Sequence, residues 1–236
     1  MASFFRGEAE LHFDVEGDGY PVLLIAPGGM RSANDAWEPM PWNPRTALAA
    51  THRVIGMDQR NAGRSTAPVS GSDGWHTYLA DQIALLDHLE IERCHVIGMC
   101  IGGPYVLALL RAAPERFSAA VLLQPVGVEA NTDSMYAMFD RWAAEIGGDH
   151  PEASEADWVS FRSNMWDGEF VITVSPDDVA AMTTPMLVMM GNDHFHPPSI
   201  SRRIAALAPN ATLVEEWKEG DALVAADTMI KQFLDL

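Results

Sequence analysis

The chain has 236 residues, 48% of them hydrophobic, with 15 basic against 33 acidic side chains and a formal charge of −18. That length supports one sizeable core rather than two. The acidity excludes nucleic acid and anionic membrane surfaces as partners, because both are held by basic patches.

Taken in chain order, alternation over residues 10–15, a Gly17-Asp18-Gly19 turn and the apolar run 21–26 predict a strand, a turn and a buried strand. Residues 44–50 read as helix and 54–58 as a short strand. Leu79, Ile83, Leu86 and Leu89 recur at helical spacing through 77–89. The strand Val96-Ile97-Gly98 then runs into Met99-Cys100-Ile101-Gly102-Gly103, and helix follows to about residue 113. Strand is predicted again at 119–123, 185–190 and 212–214, with helices over 199–208 and 223–234. Alternating strands and helices of this kind define an α/β fold, a mainly parallel sheet with helices on both faces. Ligands on such sheets bind at the C-terminal ends of the strands, where Cys100 falls.

The alternation breaks over about 126–184. Met135, Met138, Phe139, Trp142, Trp158, Phe161, Met165 and Trp166 fall there, several at helical spacing. Most are expected to pack for stability, and a few to line an apolar pocket. Including methionines next to the predicted turns, the candidates for substrate contact are Met30, Met99, Met138, Trp142 and Trp166.

Gly98-Met99-Cys100-Ile101-Gly102 is the strand-to-helix turn that holds a nucleophile above a sheet, with flanking glycines that let strand and helix close up. Three further motifs accompany it in order: Pro21 through Pro27-Gly28-Gly29-Met30, Asp58-Gln59-Arg60-Asn61-Ala62-Gly63-Arg64-Ser65, and Pro185 through Gly191-Asn192-Asp193. With these four motifs the chain resembles the α/β-hydrolase superfamily from about Leu11 onward, as a member with cysteine at the nucleophile elbow. The resemblance implies a single domain whose 126–184 insertion forms a helical cap. It implies Asp193 as the catalytic carboxylate, and an oxyanion hole from the N–H groups of Ile101 and of Gly28 or Gly29. Asp58 and Arg60 are expected to brace their turn.

At the start of a helix a thiol is drawn toward thiolate by the dipole and free N–H groups. The family's catalytic histidine normally follows the last strand. Here that segment reads Glu216-Trp217-Lys218-Glu219-Gly220-Asp221-Ala222-Leu223, and no histidine follows His196. His194 and His196 are the candidate bases, and His196 is preferred because a turn rigidified by Pro197-Pro198 lets it face one centre with Asp193. His88 and His95 are expected to point away from the elbow.

The expected activity is hydrolysis of an ester, lactone or thioester of a hydrophobic small molecule through a Cys100 acyl-enzyme. The alternatives are a ligand-binding or sensor protein on a hydrolase scaffold, and a non-hydrolytic lyase or acyltransferase. No cofactor is expected. No metal is expected either, since His194 and His196 form only a lone His-x-His. No stretch approaches the ~20 apolar residues that span a bilayer, and residues 1–8 lack signal-peptide order. Cys94 and Cys100 bracket one predicted strand, about 20 Å apart, beyond disulfide reach. A reduced, cytoplasmic location is therefore expected. The expected partners are a small hydrophobic substrate and, at most, a second copy in a homodimer.

Overall fold

The computed structural model describes residues 2–235. Eight strands form one sheet: β1 (Ala2–Arg6), β2 (Ala9–Glu16), β3 (Tyr20–Ile25), β4 (His52–Met57), β5 (Cys94–Met99), β6 (Phe117–Leu123), β7 (Met186–Met189) and β8 (Ala211–Val214). Their spatial order is β1-β2-β4-β3-β5-β6-β7-β8. β1 and β2 run antiparallel to their neighbours, and the rest pair in parallel. β1 is an element the sequence reading lacked. It is an edge strand with Phe4 turned inward and Phe5 outward, too short to stand out by alternation.

Among the described residues the eight α-helices are α1 (Pro44–Leu48), α2 (Trp75–His88), α3 (Gly102–Ala112), α4 (Thr132–Ile146), α5 (Glu155–Trp166), α6 (Pro176–Ala181), α7 (Pro198–Leu207) and α8 (Gly220–Leu234). Helix starts follow capping chemistry. The Asn43 side chain accepts from the Arg45 N–H with Pro44 in the first turn, and Ser154 and Ser175 each form a reciprocal capping box with an aspartate three residues on.

Alternate residues of the central strands feed two cores. Leu23, Ile25 and Val96 face one layer, while Val22, Leu24, Ile97 and Met99 face the other. α4, α5 and α6 fill the interval between β6 and β7. The aromatic side chains of α4 and α5 form one packed set, with Phe139 5.1 Å from Phe161 and Trp142 5.8 Å from Trp158, both pairs in edge-to-face contact.

Asp58, just after β4, accepts from the N–H of Asn34 (2.8 Å) and of Arg64 (3.0 Å) and ties two loops at the strand ends together. Arg60 instead reaches the fully buried Asp81 through Nε (2.8 Å) and Nη2 (3.0 Å). No helix among the described residues is long and apolar enough to cross a membrane.

Candidate active site

β5 ends at Met99, and the chain turns at Cys100 into α3. Cys100 has φ 59°, in the left-handed region that non-glycine residues seldom occupy. Its N–H donates to the Leu123 carbonyl (3.0 Å), and its carbonyl accepts from Gly103 (3.0 Å) and Val126 (3.1 Å). Neighbouring segments thus hold the strained residue in place. A Cβ added at Gly98 would collide with the Gly102 carbonyl, and one at Gly102 with the Ile25 carbonyl. Both glycines are required by close backbone approach.

The Asp193 loop follows β7. The Asp193 carboxylate accepts from the N–H groups of Phe195 (3.0 Å) and His196 (3.1 Å), which curls the loop back on itself. His196 Nδ1 lies 2.7 Å from Oδ1 and 2.8 Å from Oδ2 of Asp193. This bond fixes the imidazole and leaves Nε2 as its second functional atom. Nε2 is buried with no hydrogen-bond partner among the described residues. Cys100 is nonetheless the group that acts most strongly on His196 after burial.

The titration of the three groups is linked. Burial pushes the Cys100 thiol up, but His196 and the N–H groups of Gly28 and Ile101 outweigh it, and the thiol ends below its ordinary value. Burial opposes protonation of His196, while Cys100 and Asp193 draw it above the ordinary imidazole value. Burial raises Asp193 as well, yet His196 and the two loop N–H groups hold it below the usual carboxylate range. A thiolate–imidazolium pair oriented by a carboxylate is the state these interactions favour.

A cavity of about 150 Å³ adjoins Cys100 and His196. Gly28, Gly29 and Ile101 border it, as do Val126, Met135, Met138, Trp166 and Phe195, and its wall is almost entirely apolar. Larger open grooves, such as one of about 790 Å³ beside Asn61 and His150, contain none of the candidate site residues. Gly28 and Gly29 both have positive φ, 117° and 60°, and glycine adopts that conformation without strain.

The expected site residues therefore divide. Cys100, Asp193, His196, Gly28, Gly29 and Ile101 come together, and Met138 and Trp166 border the same cavity. Three substrate-contact candidates do not. Met99 projects from β5 into the opposite core with Leu123 and Met189, because Cys100 breaks the alternation and Met99 keeps the other face. Met30 is buried in the main core, and Trp142 is committed to the aromatic set of α4 and α5, with its Nε1 3.4 Å from the Asn61 carbonyl.

Val126, Met135 and Phe195 join the lining instead. Met135 lies one helical turn before Met138, a spacing that could have found it. His194 points elsewhere, with its Nε2 2.9 Å from Ser134 Oγ on α4. His88 stacks on Phe4 at 5.1 Å, and His95 stands by Tyr20 and His52, both remote from the elbow.

After β8, where the family carries its histidine, Trp217 is buried and its Nε1 donates to the Met190 carbonyl (2.9 Å). Lys218 donates to Asn192 Oδ1, and burial lowers its ammonium against the pull of Asp193. No group of three or more His, Cys, Asp or Glu suited to a metal ion occurs among the described residues.

Residues 21–168 match the family model described as alpha/beta hydrolase fold, and the chain belongs to that family. It is similar to the 2-hydroxy-6-oxononadienedioate/2-hydroxy-6-oxononatrienedioate hydrolase of Paraburkholderia xenovorans (strain LB400), with 31% identity over 97% of this chain and 91% of that protein. A protein of Azorhizobium caulinodans named for carbamate hydrolysis, RutD, is 35% identical over 117 residues. That match spans 50% of this chain and 42% of the relative. Among solved structures, the enol-lactonase from Burkholderia xenovorans LB400 superposes with a TM-score of 0.72 at 18% identity, covering 100% of both chains. At that identity the likeness is one of fold.

Proposed function

We propose that the protein is a thiol hydrolase that cleaves an ester, lactone or thioester of a hydrophobic small molecule through an acyl-Cys100 intermediate. The observation that carries this reading is His196. Its Nδ1 is bound to Asp193, and its Nε2 is uncommitted beside a cysteine in strained elbow backbone. The Paraburkholderia xenovorans hydrolase, 31% identical over nearly the whole chain, supports the reaction class.

The thiolate of Cys100 attacks the substrate carbonyl, a C–S bond forms, and the negative charge moves to the carbonyl oxygen. The N–H groups of Gly28 and Ile101 are the donors assigned to that oxygen; losing one such donor typically raises a barrier by about 3–4 kcal/mol. Collapse breaks the bond to the leaving oxygen or sulfur, which takes its proton from His196 Nε2. The imidazole, now neutral, removes a proton from water, hydroxide adds to the thioester, and Cys100 departs as thiolate. Asp193 keeps the imidazole in the required tautomer and orientation.

The test is p-nitrophenyl acetate turnover combined with intact mass. Cys100→Ala abolishes both turnover and the acetyl adduct. His196→Ala lowers turnover by about 10²–10⁴-fold, the usual loss of a general base, and lets the acetyl-enzyme accumulate. A Cys100→Ala protein with undiminished turnover would sink the proposal. A second reading, ligand binding without turnover, draws on the lack of histidine after β8. It predicts tight binding of a small molecule with neither turnover nor an acetyl adduct on the unaltered protein.

A further inference from the structure

The cavity at Cys100 measures about 150 Å³, a size that accepts a benzene-sized molecule when its walls are apolar. Apart from Cys100 and His196, the side chains that border it are neutral. The cations on adjoining loops are engaged elsewhere, Arg31 with Glu145 and Lys218 with Asn192. On α4, Met138 closes the side over the glycine loop. A Cβ added at Gly29 would stand 2.5 Å from its sulfur, so the thioether is packed on that backbone.

We infer that the acyl group accepted at Cys100 is uncharged, apolar and compact, no larger than about six carbon atoms, with Met138 setting its length. The inference rests on the thiol-hydrolase reading and narrows it to a substrate class. A carboxylate carried on the acyl chain would lose its water in this cavity and meet no cation except His196, which Asp193 already engages, and that disfavours it. The −18 charge of the whole chain acts in the same direction by repelling anions on approach. A longer chain gains room on the Met138 side only by displacing that side chain from Gly29. Removing the end of that side chain joins its volume to the cavity.

The experiment compares kcat/KM for p-nitrophenyl acetate, pentanoate and decanoate, and for mono-p-nitrophenyl glutarate. The glutarate replaces the terminal methyl of the pentanoate by a carboxylate. Pentanoate is expected to exceed both glutarate and decanoate by about tenfold or more, the scale on which pockets discriminate single groups. Met138→Ala is expected to raise the decanoate-to-acetate ratio by about tenfold. Equal rates for pentanoate and glutarate, or for pentanoate and decanoate, overturn the inference.

A readout that needs no turnover separates the two claims. Intact mass follows alkylation of Cys100 by neutral iodoacetamide and by anionic iodoacetate, each relative to free mercaptoethanol. A preference for iodoacetamide of about tenfold is expected, and a preference for iodoacetate overturns the uncharged-cavity claim. Inert esters with that preference intact would remove the hydrolase reading and leave the cavity's selectivity standing.

Discussion

Cys100 and Cys94 are the same residue type six positions apart, and their surroundings separate them completely. Cys94 lies at the inner end of β5, where burial pushes its thiol up to about 12. Cys100 borders a cavity and has His196 and two backbone N–H groups to stabilise its anion. Iodoacetamide is therefore expected to label Cys100 at neutral pH, well below the ordinary thiol midpoint of about 8.5, and to leave Cys94 unlabelled. Peptide mapping across a pH series reads both rates. Because His196 is the strongest of the groups that lower Cys100, His196→Ala should move the labelling midpoint up by about a unit or more. An unchanged midpoint would mean that backbone N–H groups alone hold the thiolate. The sign differs for ester turnover. Acylation by an alkyl ester needs the imidazolium to protonate the departing alkoxide, so it falls as pH rises through the raised His196 value, while labelling persists.

At the scale of elements, the site is a property of two junctions. One is β5–Cys100–α3, where Gly98 abuts the Gly102 carbonyl and Gly102 abuts the Ile25 carbonyl of β3, so neither has room for a methyl group. Gly98→Ala is expected to destabilise the fold by roughly 3 kcal/mol, the upper end for forced overpacking, and to lower Cys100 reactivity by shifting the turn. Urea melts and the labelling rate check the two effects. This junction was legible from sequence because Gly98 reports a contact local to the motif, although the Ile25 carbonyl that crowds Gly102 lies on another strand. The other junction is the loop after β7, where three residues separate the carboxylate from the imidazole it binds. Its pairing was legible as well, since Pro197-Pro198 and the i, i+3 spacing both act within one turn. Less was readable in α4–α6. The capping boxes at Ser154 and Ser175 are visible signals, but which helical face meets Cys100 depends on how the segment docks. Trp142 and Trp166 look equivalent in sequence. Docking sends the first into an aromatic cluster and the second to the cavity wall.

At the scale of the whole molecule, the two ends of the sheet behave differently with pH. The C-terminal ends carry Cys100 and His196. Toward the opposite end lies His95, with Ser118 Oγ at 2.9 Å and the Tyr20 ring at 4.6 Å. Burial, with His52 adding repulsion, lowers its pKa from 6.5 to about 4. The unfolded chain then binds a proton that the folded chain refuses between those values. Stability is present in full above pH 6.5 and is lost as pH falls toward 4, by about 3 kcal/mol over the window. His95→Gln is expected to flatten the melting temperature between pH 6.5 and 4.5, before most carboxylates titrate. A slope as steep as that of the unaltered protein would assign the acid sensitivity to another group.

The amino-acid order alone determined the α/β architecture, the sharp strand-to-helix turn at Cys100 and the pairing of Asp193 with His196 rather than His194. Each of those rests on contacts between residues close in the chain or on strand and helix periodicity, so the information is local. The tertiary structure decided what the cavity admits. Met30, Met99 and Trp142 turned away from it, Val126, Met135 and Phe195 turned toward it, and Trp217 and Lys218 bonded to Met190 and Asn192 after β7. Those outcomes depend on the packing of segments a hundred residues apart, and side-chain volume against side-chain volume is settled only when the layers meet.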